Sequence, residues 1–318
     1  MNPNVFTLII FLLGQAVLAA GIFAQLSNFE AIPLKLAGNF ICVEGAADGQ
    51  AGNFIIDTGI RGIVLNSRYF EGENTNRMLH GINGHEEEAE ARYTTLCLGN
   101  IAFPLTYAFI ANLNSIEKKA HGIEAIGLIG VDVFMDYEIA FDFANGELLL
   151  CKLDRKGGKA ALSLSYPPPS DTIEMEFKGH LPCIKAQVGG QTLCLAIDSG
   201  SEANILHQNN IQKILPYLKA QRKAKIAGWG QEAQPTTIGM LTGMELGSTP
   251  YLPMLTAIKN IGYFNASLPG PRLDGILGFC FLRQYKTAIN FKKKELYIWN
   301  EGQRAREVPA EEMIVVNH

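Results

Sequence analysis

The sequence predicts a mostly β chain with a few short helices, built as two similar halves. Three observations carry this. The chain repeats itself, its repeated blocks are written in hairpin grammar, and its composition supplies enough apolar material for two cores. It has 318 residues, 47% hydrophobic and 18% charged, with a mean hydropathy of +0.09. That excludes a disordered chain. The net charge of −4 supplies no basic excess for a phosphate backbone, so nucleic acid is not an expected partner.

The repeat has two blocks. Residues 38–59, GNFICVEGAADGQAGNFIIDTG, align without a gap on residues 179–200, GHLPCIKAQVGGQTLCLAIDSG, at an offset of 141. Residues 127–150, GLIGVDVFMDYEIAFDFANGELLL, align on 275–298, GILGFCFLRQYKTAINFKKKELYI, at an offset of 148. The blocks recur in the same order at nearly the same separation, as internal repeats do.

Each element has a local reason. Asp48-Gly49 and Gly189-Gly190 sit between apolar stretches and suit two-residue type I′ turns, whose central residues need positive φ. Each hairpin feeds an apolar strand, FII or LAI, ending at Asp57-Thr58-Gly59 or Asp198-Ser199-Gly200. The blocks ending DFANGELLL and NFKKKELYI predict a further hairpin each, with Asn145-Gly146 a turn signal in the first. Helical spacing in NILHQNNIQKILPYLKAQRKA predicts helix after the second Asp motif. Short helices are expected after Gly130 and after Gly278. The Gly-, Lys- and Pro-rich stretch 152–170 reads as a linker. The expected organisation is an N-terminal segment 1–24, a first lobe 25–151, the linker, a second lobe 171–300 and a tail 301–318.

Val5 to Ala24 is a charge-free apolar run. It reads as a secretory signal, with an uncleaved anchor as the competing reading; either predicts export, with membrane attachment only through this segment. The six cysteines, Cys42, Cys97, Cys151, Cys183, Cys194 and Cys280, lie in strand-like runs without a C-x-x-C pair. They do not read as a zinc or redox motif, and both buried thiols and bridges stay open. His85-Glu86-Glu87-Glu88 is not H-E-x-x-H and reads as a solvated hairpin, and no other constellation predicts a metal or cofactor.

A lone Asp-Thr/Ser-Gly is a common turn. Two copies, each closing an apolar strand and each followed by an apolar-glycine element at Gly130 or Gly278, resemble the aspartic peptidases, in their retropepsin-like and pepsin-like bacterial forms. The resemblance covers roughly residues 30–300. It implies a bilobal acid-protease fold, a double β-barrel with a pseudo-twofold repeat, in which Asp57 and Asp198 form a catalytic dyad. It implies a peptide or protein substrate and an endopeptidase that works as a monomer with no cofactor and no metal. Thr58, Gly59, Ser199 and Gly200 would support the active-site loops. Ser201 matches a hydroxyl that can bond one carboxylate. The first-half counterpart is Ile60, which loses that hydroxyl, adds bulk near the site and supports an alternative: a non-catalytic peptide-binding protein that keeps the fold. Arg61, next to it, reads as solvent-facing. A third reading makes both motifs mere turns of a structural exported protein, with the two carboxylates far apart. The glycine-bearing segments containing Gly84 and Gly228-Trp229-Gly230 suggest flap hairpins, with Gly84, Tyr93, Trp229 and Gly230 as substrate contacts.

Overall fold

The computed structural model describes residues 28–80, 86–121, 123–159, 167–226 and 234–300. The N-terminal segment 1–24 and the tail 301–318 lie outside them. Among the described residues no helix is long and apolar enough to cross a membrane.

The chain is mostly β. The first half carries β1 (Phe29–Ala37), β2 (Phe40–Ala47), β3 (Gln50–Ile56), β4 (Ile63–Asn66), β5 (Glu73–His80), β6 (Glu86–Leu98), β7 (Ile101–Ala111), β8 (Ala125–Ile129), β9 (Tyr137–Asp142) and β10 (Glu147–Lys152). The second carries β11 (Asp171–Glu174), β12 (Glu176–Lys178), β13 (Leu181–Val188), β14 (Gln191–Ile197), β15 (Asn204–His207), β16 (Leu218–Ile226), β17 (Gln234–Leu241), β18 (Met244–Leu246), β19 (Thr249–Pro250), β20 (Met254–Lys259), β21 (Gly275–Leu277), β22 (Lys286–Asn290) and β23 (Glu295–Trp299).

Strand order runs β2-β3-β8-β4-β7-β6-β5 in the first half and β13-β14-β21-β15-β20-β17-β16 in the second. The registers correspond residue by residue. Leu65 faces Gly127 and Leu206 faces Gly275; Ala46 faces Cys97 and Gln187 faces Glu245. Between the halves, strands run β1-β10-β9-β22-β23-β11, so β9 and β22 join the halves in one continuous sheet.

The turn grammar holds. Asp48 and Gly49 have φ of +49° and +84°, and Gly189 and Gly190 +57° and +76°, as a type I′ hairpin requires. Turns also join β9 to β10 and β22 to β23. The short helices expected within 204–224 are present, flanked by strand on both sides. Helical turns occupy only Gln208–Tyr217, because Asn204–His207 pairs with β20 and β21 and Leu218–Ile226 pairs with β17. Sheet pairing wins there over a periodic apolar pattern. Short helices do follow Gly130, at Val131–Phe134, and Gly278, at Phe279–Leu282. All six cysteines are free thiols.

One apolar core runs through both halves, and separate clusters fill the outer side of each. At the joining sheet Phe141 is fully buried, faces Thr287 across the seam and stacks on Phe143 at 6.5 Å. Phe141→Ala is expected to cost about 3–5 kcal/mol, the usual range for a large buried aromatic. Urea unfolding followed by fluorescence and by far-UV circular dichroism should show both probes shifting together.

Candidate active site

Both Asp motifs sit where a strand ends over a partner running beside it. β3 is parallel to β8 and β14 is parallel to β21. Asp57 N–H then bonds Ile129 O at 2.9 Å, and Asp198 N–H bonds Leu277 O at 3.0 Å. Behind each loop stands the predicted glycine. A Cβ on Gly130 would lie 2.5 Å from Ile60 O, and one on Gly278 would lie 2.4 Å from Ser201 O. Only glycine lets these strands approach the loops so closely.

The loops lock to each other across the halves. Thr58 N–H donates to Ser199 Oγ at 3.0 Å, and Ser199 N–H donates to Thr58 Oγ1 at 2.9 Å. Each hydroxyl then donates onward, Thr58 Oγ1 to Ile197 O at 3.0 Å and Ser199 Oγ to Ile56 O at 2.7 Å. Both residues are buried, at 1% and 0% exposure. A hydroxyl is both donor and acceptor, so two of them close this ring with no polar group left over.

The same lock sets the carboxylates against each other. Gly59 N–H holds Asp57 Oδ1 and Gly200 N–H holds Asp198 Oδ1, both at 2.9 Å. The direction a Cβ would take from Gly59 ends 2.6 Å from Asp198 Cγ, and from Gly200 it ends 2.3 Å from Asp57 Cγ. Each carboxyl thus packs over the glycine of the other motif. The two side chains therefore face each other where the loops meet. This crossed packing brings the two carboxyls together, unlike the separated turns of a structural protein.

Burial raises both carboxyls above the ordinary aspartate range. For Asp57 the neighbouring Asp198 charge raises it further and well above that range, against the Gly59 N–H, which favours the anion. For Asp198 the Gly200 N–H, the bond with Asp57 and the Ser201 N–H oppose the burial. Two carboxyls this close hold one proton between them in preference to ionising together.

Several expected residues have other tasks. Ser201 Oγ donates to Ala203 O at 2.8 Å, so its hydroxyl braces its own loop and its N–H, not its Oγ, faces Asp198. The Ile60 side chain packs onto the outer apolar cluster of the first half, beside residues such as Ile55 and Val64, and its bulk is spent there. Arg61 is exposed and pairs with Asp132 at 3.3 Å. Tyr93 is 65% exposed on β6, edge-on to Tyr107 at 5.4 Å. Gly84, Trp229 and Gly230 lie outside the described residues. The strands on either side of them, β5 with β6 and β16 with β17, pair antiparallel.

Two braces between the halves were not anticipated. His180 Nε2 donates to Gly59 O at 2.8 Å, and burial keeps this imidazole below its ordinary pKa, toward the neutral form. Lys119 pairs with Glu202 at 2.7 Å. His180 is the repeat counterpart of Asn39, and that difference between the copies was the signal available.

No protein-family model matches the chain, and the curated proteins contain no match to it. The functional reading therefore rests on the geometry of these residues.

Two outcomes are expected. Thr58→Val leaves Ser199 N–H and Ile197 O without partners, at about 1–3 kcal/mol for each buried orphan. Thr58→Ser, which copies Ser199, should stay within about 1 kcal/mol. Urea midpoints check both. The second concerns pH. Because the folded carboxyls are raised, the native state binds more protons than the unfolded one between the ordinary aspartate range and the raised values. Stability then falls as pH rises through that window, by about 1.4 kcal/mol per pH unit for each excess proton. Asp57→Asn keeps an acceptor for Gly59 N–H and removes the Asp57 share of the excess. Its melting temperature should decline less between acid and neutral pH than the parent's, and an unchanged slope would contradict the raised dyad.

Proposed function

We propose that the chain is an aspartic-type endopeptidase of bilobal acid-protease fold, two β-barrels about a pseudo-twofold axis with one catalytic Asp from each. The observation that carries this is the crossed packing of Asp57 over Gly200 and Asp198 over Gly59. Matching strand orders in the two halves support the fold.

The chemistry follows from one shared proton. The ionised carboxyl takes a proton from a water lying between the pair as that water attacks the scissile carbonyl. The protonated carboxyl donates to the carbonyl oxygen and stabilises the tetrahedral species. Proton return to the amine nitrogen then releases both products. Water is the nucleophile, so the mechanism asks for no acyl-enzyme. The roles belong to the pair, and neither Asp is assigned one alone. One chain supplies both carboxyls, so a monomer suffices. The hairpins β5–β6 and β16–β17 are suited to lie along an extended peptide, whose backbone would be read by strand-like hydrogen bonding. Export through the N-terminal segment completes the reading.

Cleavage of a mixed peptide library by the full chain, followed by mass spectrometry from about pH 3 to 7, tests it. Turnover should be greatest where the pair holds one proton. Asp57→Asn or Asp198→Asn should each lower it by at least about a hundredfold with the fold retained. Unchanged turnover in Asp198→Asn would refute the mechanism.

A further inference from the structure

The two halves differ in charge at one corresponding corner. In the first half Ala37 is buried at the end of β1, and Asn66 closes β4 with both its polar atoms used, bonding Ala125 O and Arg68 N. Glu117 caps Ala125 N–H at 3.1 Å, and Arg68 pairs with Glu117 and Glu124 at 3.6 and 3.8 Å. That corner satisfies itself.

The same offsets, 141 and 148, lead to the second half. Ala37 becomes Lys178, Asn66 becomes His207, Arg68 becomes Asn209, Glu117 becomes Asn265 and Glu124 becomes Arg272. The correspondence is structural: Asn265 Oδ1 accepts Leu273 N–H at 2.7 Å, as Glu117 accepts Ala125 N–H. Both carboxylates are gone, and one Arg is replaced by a Lys, an Arg and a His.

These five second-half residues line a cavity of about 520 Å³ with no acidic residue in its wall. Lys178 is 2% exposed and among the described residues gives one side-chain hydrogen bond, to Leu268 O at 2.9 Å, where an ammonium has three to give. His207 is 4% exposed, and its Nδ1 has no hydrogen-bond partner among the described residues. Arg272 is exposed at the rim. A buried cation paired with no carboxylate among the described residues is costly to fold. An oxyanion in the cavity would remove that cost, and the volume is that of a small-molecule site, larger than a bare inorganic anion needs.

We propose that this cavity binds a small organic molecule carrying a phosphate or sulfate group, with Lys178 and Arg272 holding the oxyanion and Asn209 nearby to orient it. The site shares no residue with the Asp loops and does not depend on peptidase activity.

Isothermal titration of the full chain with a hexose 6-phosphate tests this, with the hexose 6-sulfate and inorganic phosphate titrated alongside. One saturable site at roughly millimolar affinity or tighter is expected. Arg272→Gln should weaken it at least about tenfold, the equivalent of about 1.4 kcal/mol for a charge-assisted contact. Lys225→Gln, an equal change of charge at an exposed strand position, should leave it unchanged. The preferred ester identifies the oxyanion, and equally tight binding of inorganic phosphate would still assign the cavity to the anion. Lys178→Met should abolish binding if it folds, but the rim variant decides the matter without it. No saturable binding of any of the three, or an equal loss in Lys225→Gln, overturns the proposal.

Discussion

The structure turns on the ring of hydrogen bonds between Thr58 and Ser199. Two buried hydroxyls, one from each half, take each other's backbone N–H and donate onward to the strand behind the partner loop. No arrangement within one half can close that ring. It forces the two Asp-x-Gly turns to meet face to face, and the glycines then leave just enough room for the opposing carboxyls. The raised protonation of the pair follows from the enforced approach and from burial. The rest of the fold brings that ring to register, from the parallel strands behind each loop to the continuous sheet through β9 and β22.

The pairing has a stability cost that the fold carries elsewhere. Two raised carboxyls weaken the native state as pH rises, whereas the wide core and the braces His180–Gly59 and Lys119–Glu202 resist separation of the halves. Such opposition is common where a site's chemistry requires groups to be held in unfavourable surroundings. Here both sides of the balance are visible in named residues.

Much of this was legible in the sequence, for a physical reason. Type I′ turns, strand ends at Asp-Thr/Ser-Gly and the close approach at Gly130 and Gly278 are local demands on residue type, and each was written twice. Duplication turned weak local signals into a usable one. What escaped was non-local. The extent of the short helices within 204–224 was set by pairing of the flanking residues with strands distant in sequence. The Ser201 hydroxyl found a nearer acceptor in Ala203, and the bulk of Ile60 found an apolar cluster, because loop geometry and not residue type aimed them. His180 and Lys119 meet partners across the seam that no spacing predicts. The charged corner around Lys178 was invisible until strand registers showed which residues of the two copies occupy equivalent places.

The central claim is that Asp57 and Asp198 behave as one titrating unit. Carbon-13 NMR of the carboxyl carbons of labelled aspartates, followed across the pH range and assigned with the Asp57→Asn and Asp198→Asn variants, measures this directly. The account predicts that the pair releases its protons in two linked steps, with one proton retained well above the ordinary aspartate value of about 4. Two independent titrations near that value, each unaffected by substitution of the other residue, would contradict it.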